Sequence, residues 1–193
     1  MDRQPDLFGG PAPILPEGFA FREDFIDADE EASLLEAIAG LELHEAIYKG
    51  YTARRRVANF GTRYDFGASK LLPAEEIPAF LRPLRERAAQ WAGVAPAAFS
   101  SALVAEYRPG TPLGWHRDVP DHELVFGLSL ASTARMKLRR YPPVSPKKAD
   151  VISVELPPRS AYVLRGVARW GWQHSIAPTE RLRYSITFRT RRV

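Results

Sequence analysis

The chain contains no cysteine. That absence excludes disulfides, thiolate zinc sites and cysteine nucleophiles together. A protein without disulfides suits a reducing compartment. The opening Met1-Asp2-Arg3-Gln4-Pro5 is polar and carries no signal-peptide pattern, so a cytoplasmic protein is expected. Long apolar runs are missing as well, and none approaches the roughly 18 residues of a membrane span. Histidine is scarce: His44, His116, His122 and His174 are all there are. Strong charge of one sign is also missing. A net charge of +4 permits a nucleic-acid partner but does not demand one. Arginine and lysine cluster at Arg54-Arg55-Arg56, at Arg139-Arg140 with Lys147-Lys148, and from Arg189 to Arg192. Such clusters are often no more than a solvated face.

At 193 residues and 45% hydrophobic composition, one domain with a real core is expected. Pro5, Pro11, Pro13 and Pro16 with Gly9-Gly10 mark residues 1–16 as a flexible tail, leaving 17–193 as the domain. A strand is expected over 19–25. A helix is expected over 29–40, with Asp27 or Asp29 as cap, a Leu34/Leu35/Ile38 stripe and Gly40 at its end. Residues 47–66 mix aromatics and arginines in short strands and turns. A second helix is expected over 76–92, kinked by Pro83. Beyond Gly93 the period changes to two. Strands are expected at 101–107, 124–130, 135–141, 151–156, 161–165, 173–176 and 183–190. Two helices followed by many short strands indicate an α+β chain whose strand-rich half, about 100–193, closes as a jelly roll.

His116-Arg117-Asp118 is the densest chemical feature. On an extended strand, residues i and i+2 point the same way, so His116 and Asp118 can grip one ion. A third ligand must come from a distant strand, and His174 fits. Two imidazoles and one carboxylate suit Fe(II) or Mn(II), and Zn(II) would bind them too. The set leaves open positions for further ligands. His44 reads as surface. His122, in the loop Pro120-Asp121-His122-Glu123, is a candidate neighbour of the metal or substrate.

Near the C-terminus, Arg183-Tyr-Ser-Ile-Thr-Phe-Arg189 reads as a strand with Arg183, Ser185, Thr187 and Arg189 on one face. Guanidinium is the side chain for bidentate carboxylate binding. Small hydroxyls between the arginines leave room for a ligand. His116-x-Asp118, His174-Ser175-Ile176 and the closing Arg-x5-Arg together resemble the AlkB family of Fe(II)- and 2-oxoglutarate-dependent dioxygenases, demethylases of alkylated nucleic acid. Tyr107-Arg108-Pro109-Gly110 and Leu164-Arg165-Gly166 strengthen the resemblance, which covers residues 100–193 well and 15–70 loosely.

The resemblance implies a double-stranded β-helix with flanking N-terminal helices and a nucleotide-recognition lid. It implies that His116, Asp118 and His174 bind and activate iron. Arg183 would pair with the distal carboxylate of 2-oxoglutarate, assisted by Tyr107, with Ser185 and Thr187 beside it and Arg189 nearer the iron. O2 would be the oxidant, and succinate, CO2 and formaldehyde the products. The chain departs from the family at Ala105 and Ser185, where asparagine is frequent, and at Pro120, where an acidic residue is frequent. The segment 47–66 resembles the Arg-x-x-x-Phe-Gly-x-x-Tyr lid of AlkB relatives. Arg54 and Arg56 would bind phosphates there, and Phe60 or Tyr64 would stack a flipped base.

The substrate so implied is methylated DNA or RNA, as in alkylation damage repair. A protein or small-molecule substrate of a hydroxylase or demethylase is the alternative. Gln4-Pro5-Asp6-Leu7-Phe8 resembles the short peptide that docks on bacterial sliding clamps. The chain is expected to act as a monomer with no membrane partner.

Overall fold

The computed structural model describes residues 14–48, 51–143 and 150–192. The clamp-like Gln4–Phe8 and most of the expected tail lie outside them, as do Lys147 and Lys148. Three layers stack: helices, a seven-stranded sheet and a four-stranded sheet.

The helical layer is α1 (Ala28–Ala39) and α2 (Arg82–Ala92). Asp27 caps α1. Its carboxylate accepts from the Glu30 N–H at 2.8 Å, and the Glu30 side chain accepts from the Asp27 N–H at 3.1 Å. This reciprocal box satisfies two N–H groups that a helix start otherwise leaves unpaired. Gly40 closes α1 as expected. The second helix is shorter than the expected 76–92. A single 3-10 turn, Ala79–Leu81, precedes it, and α2 starts at Arg82. Pro83 therefore stands in the first turn, where a missing N–H costs nothing, and the expected kink does not arise.

The large sheet runs in the order β1 (Phe19–Arg22), β11 (Ala161–Leu164), β8 (His122–Leu130), β13 (Arg183–Arg191), β6 (Phe99–Tyr107), β3 (Tyr51–Phe60), β2 (His44–Tyr48). The small sheet runs β10 (Ile152–Leu156), β9 (Ala134–Arg140), β12 (Trp172–Ile176), β7 (Leu113–His116). All these pairings are antiparallel. A separate ribbon joins β4 (Thr62–Asp65) to β5 (Lys70–Pro73). Two sheets closing face to face, with antiparallel strands, form the expected jelly-roll core.

Alternation along the strands sorts residues between two cores. Phe126, Leu128, Ile186 and Phe188 face the helices and pack with Ile38, Leu84 and Ala88. Val125 points the other way, between the sheets, with Met136, Leu138, Trp172 and Ile176. Gly127 lies on this inner face. A Cβ there would sit 2.3 Å from the Tyr162 ring, so only glycine admits that tyrosine. The segment 47–66 is not a set of short strands. Ten-residue β3 is an integral strand of the large sheet, paired with β6 from Arg56↔Glu106 to Phe60↔Ala102.

Candidate active site

His116 ends β7 and lies opposite His174 on β12. Their ring centroids are 4.1 Å apart. Asp118 is not on the strand with His116, because β7 stops at His116 and the chain turns. The carboxylate reaches the histidines from that loop. The Asp118 Oδ2 is 3.6 Å from His174 Nε2, and one ligand atom from each of the three residues falls within 4.8 Å of the others.

Arg169, on the short helix α3 (Gly166–Trp170), fixes this loop. Its Nη2 donates to the carbonyls of Asp118 (3.0 Å), Val119 (2.7 Å) and His122 (2.8 Å). Arg189 Nε donates to Asp118 Oδ1 at 2.6 Å, which leaves Oδ2 toward the histidines.

The protonation states suit metal binding. His116 Nδ1 is 2.8 Å from the Gly114 carbonyl. A carbonyl only accepts, so Nδ1 carries the proton and the Nε2 lone pair is available. Burial lowers the His116 imidazole, against the pull of Asp118. Burial and the charge of His116 push His174 down to about 3. Burial alone would raise the Asp118 carboxyl, but Arg189, His174 and His116 outweigh it and hold it well below the usual carboxylate range. Two neutral imidazoles and a carboxylate therefore stand ready near neutral pH without first losing protons.

The cosubstrate candidates line the inner face of β13 and its neighbour β6. Arg183 is 2% exposed and pairs across to Tyr107. Its Nε donates to Ser129 Oγ at 3.0 Å, its Cζ stands 4.9 Å over the Tyr107 ring, and its Nη1 is buried with no partner among the described residues. Ser185 and Thr187, both buried, follow on the same face toward Arg189. Burial would raise the Tyr107 phenol. The charges of Arg55 and Arg183, with hydrogen bonds involving Arg55 and Ser185, more than offset this and lower it. A buried guanidinium with a donor left over needs an anion. A dicarboxylate that chelates the metal at one end and meets Arg183 at the other fits this arrangement.

The substrate candidates are not brought together. Arg54 is exposed. Arg56 faces away from the metal and gives a two-pronged contact to Glu106 at 2.8 and 2.7 Å, so an internal carboxylate takes the charge expected to meet phosphate. Phe60 is 5% exposed within the helix-facing core, which corrects the expectation that it stacks a base. Tyr64 is half-buried on β4, edge-to-face with Phe66 at 5.0 Å. His44 is exposed, as expected. His122, expected in a loop, begins β8 at 5% exposure.

Sequence reasoning missed two residues. Arg55 shares the inner face with Val57, and counting back in twos from Val57, which packs with Ala105 and Tyr107, would have found it. Arg169 carried no signal, because nothing in Gly-Val-Ala-Arg-Trp announces a buried guanidinium.

A buried two-histidine, one-carboxylate site facing an arginine-bearing jelly-roll wall defines a class: the non-haem iron dioxygenases that consume a 2-oxo acid. The model of the 2OG-Fe(II) oxygenase superfamily matches residues 39–192. Over 181 residues the chain is 31% identical to the "Alkylated DNA repair protein ALKBH8 homolog" of Arabidopsis thaliana, covering 82% of this chain and 50% of that one. It is 29% identical over 186 residues to "Uncharacterized protein L905" of Acanthamoeba polyphaga mimivirus, covering 89% and 84%. A third relative, the "tRNA (carboxymethyluridine(34)-5-O)-methyltransferase alkbh8" of Xenopus tropicalis, is 26% identical, with 86% of this chain and 26% of that one covered. The chain thus spans half or less of two of these three relatives.

Among solved structures, "The structure of OsALKBH1" superposes with a TM-score of 0.71 at 17% identity, covering 92% of this chain and 100% of that one. A Pseudomonas putida prolyl-4-hydroxylase superposes with a TM-score of 0.58 at 18% identity, covering 91% and 93%. The chain belongs to the 2OG-Fe(II) oxygenase superfamily, on its AlkB-like side. It is a dioxygenase that uses Fe(II), 2-oxoglutarate and O2.

Proposed function

We propose that the enzyme removes N-alkyl groups from nucleobases in DNA or RNA, as in the repair of alkylation damage. The observation that carries this reading is the position of β3. It lies beside β6, two strands from β13, and its arginine run projects guanidinium groups to both sides of the site wall, with Arg54 exposed. The printed names of two relatives, one for alkylated DNA and one for a modified tRNA uridine, agree in substrate class.

In this reading His116, Asp118 and His174 hold the iron. Arg189 fixes one Asp118 oxygen so that the other faces the metal. Arg183 and Tyr107 hold the far carboxylate of 2-oxoglutarate, with Ser185 and Thr187 alongside. Val57, Leu103 and Leu113 keep water from the space beside them. When bound, the iron with 2-oxoglutarate and O2 supplies the oxidation. Succinate and CO2 leave, and the hydroxylated N-methyl group departs as formaldehyde. Tyr64 is the remaining stacking candidate, and Arg54 the remaining phosphate contact.

A second reading, oxidation of a protein or small-molecule substrate, draws on the lost equipment of β3. Arg56 is satisfied by Glu106 and Phe60 is buried. Mass spectrometry of methylated DNA and RNA oligonucleotides, incubated with Fe(II), ascorbate and 2-oxoglutarate, separates the two. Loss of a methyl group from at least one oligonucleotide is expected. Succinate release that no methylated oligonucleotide stimulates would favour the second reading.

A further inference from the structure

The inner wall of the large sheet holds more positive charge than the recognised site uses. Arg189 is balanced by Asp118, and Arg183 is assigned to a carboxylate. Arg55 remains. Register fixes where it points. Val57 pairs with Ala105 and Arg56 with Glu106, so Arg55 comes level with Tyr107, on the face of Val57 and Ala105. The Arg55 side chain is partly buried, and its Nε is fully buried with no partner among the described residues. The Arg55 charge helps to lower the Tyr107 phenol and is felt at His116 as well. A guanidinium donor buried without an acceptor is costly unless a ligand supplies one.

The neighbouring position on β6 is Ala105, 1% exposed. An alanine gives the cosubstrate no hydrogen bond. Arg55 enters the same space from the next strand, level with Tyr107, over whose ring Arg183 stands.

We propose that Arg55 is a third contact for 2-oxoglutarate: it donates to the distal carboxylate held by Arg183 and Tyr107. This rests on reading the β13 face as the cosubstrate pocket. β3 thereby takes part in cosubstrate binding, and a change in β3 alters 2-oxoglutarate affinity without touching β13.

The test is calorimetric titration of 2-oxoglutarate into the Mn(II)-loaded protein, using wild type, Arg55→Gln, Arg55→Lys and Arg183→Gln. Loss of one charge-assisted contact predicts about tenfold weaker binding for Arg55→Gln. Arg55→Lys recovers part of the loss, and Mn(II) affinity stays within about twofold because no metal ligand is changed. If Arg55→Gln binds as wild type does while Arg183→Gln binds weakly, the pocket stands and the Arg55 assignment falls. If neither variant weakens binding, the pocket itself has been misplaced and the proposal falls with it. An Arg55→Gln protein with a lowered melting temperature and wild-type affinity also overturns it, since the arginine is then only structural.

Discussion

At the scale of single residues, charge is placed before the metal arrives. Asp118 is gripped by Arg189 at 2.6 Å and its backbone carbonyl by Arg169 at 3.0 Å, so the carboxylate is preset. Asp118→Asn keeps the shape, removes the ligand charge and leaves Arg189 without its counter-ion. Mn(II) affinity measured by electron paramagnetic resonance should fall by more than about 100-fold, beyond what outer-sphere changes usually cost. His122 gives a second expectation at this scale. Burial and Arg189 push its imidazole down to about 4, against Asp118. An unfolded histidine takes its proton near 6.5. Between those values the unfolded chain binds a proton that the folded chain refuses, so stability rises with pH across that window. It is lost as pH falls, by on the order of 3 kcal/mol once pH 4 is reached. Urea midpoints of metal-free protein should drop from pH 7 to pH 5, and His122→Asn should make that dependence shallower without abolishing it, because His116 and His174 are lowered too. An unchanged slope would mean that His122 is protonated in the fold.

At the scale of elements, β3 decides which side chains serve the site. Phe60 lies on its helix-facing side, so Phe60→Ala should cost about 3–5 kcal/mol in chemical denaturation. Tyr64→Ala, on the separate β4–β5 ribbon, should cost about 1 kcal/mol or less and act on substrate turnover instead. A stable Phe60→Ala enzyme with impaired turnover on oligonucleotides would restore the stacking role to Phe60. The same strand marks the limit of sequence reading. β13 was legible because Arg183, Ser185, Thr187 and Arg189 alternate with Tyr184, Ile186 and Phe188, and period two assigns the faces by itself. In β3 three consecutive arginines occupy both faces, so only the pairing of Val57 with Ala105 tells Arg55 from its neighbours. The ligand set was read from residue type and spacing, and the three side chains do converge, but not by strand alternation: Asp118 reaches the histidines from a loop, and that loop geometry was not legible. It depends on Arg169, 51 residues away, donating to backbone carbonyls that any sequence would possess. Pro83 was misread because its effect depends on where the helix begins, which the apolar stripe does not mark.

At the scale of the whole molecule, the two sheets divide the labour. His116 and His174 belong to the small sheet, and Arg183, Tyr107 and Arg189 to the large one. A metal held by the first and a dicarboxylate held by the second would tie the layers together through their bound groups. That architecture predicts thermodynamic coupling. A ligand that binds only the folded state stabilises it by about 2.7 kcal/mol at 100 times its dissociation constant. Mn(II) alone should therefore raise the melting temperature of the metal-free protein. 2-Oxoglutarate should raise it further when Mn(II) is present and far less when it is absent, because without the ion only the Arg183 end is held. Arg183→Gln should keep the metal increment and lose most of the cosubstrate increment, while Asp118→Asn should lose both. By reciprocity, 2-oxoglutarate should tighten Mn(II) binding by the same factor by which Mn(II) tightens 2-oxoglutarate. Scanning fluorimetry across these four states and two variants measures each increment. Equal stabilisation by 2-oxoglutarate with and without metal would show that the dicarboxylate binds away from the triad, and the two-sheet account of the site would fail with it.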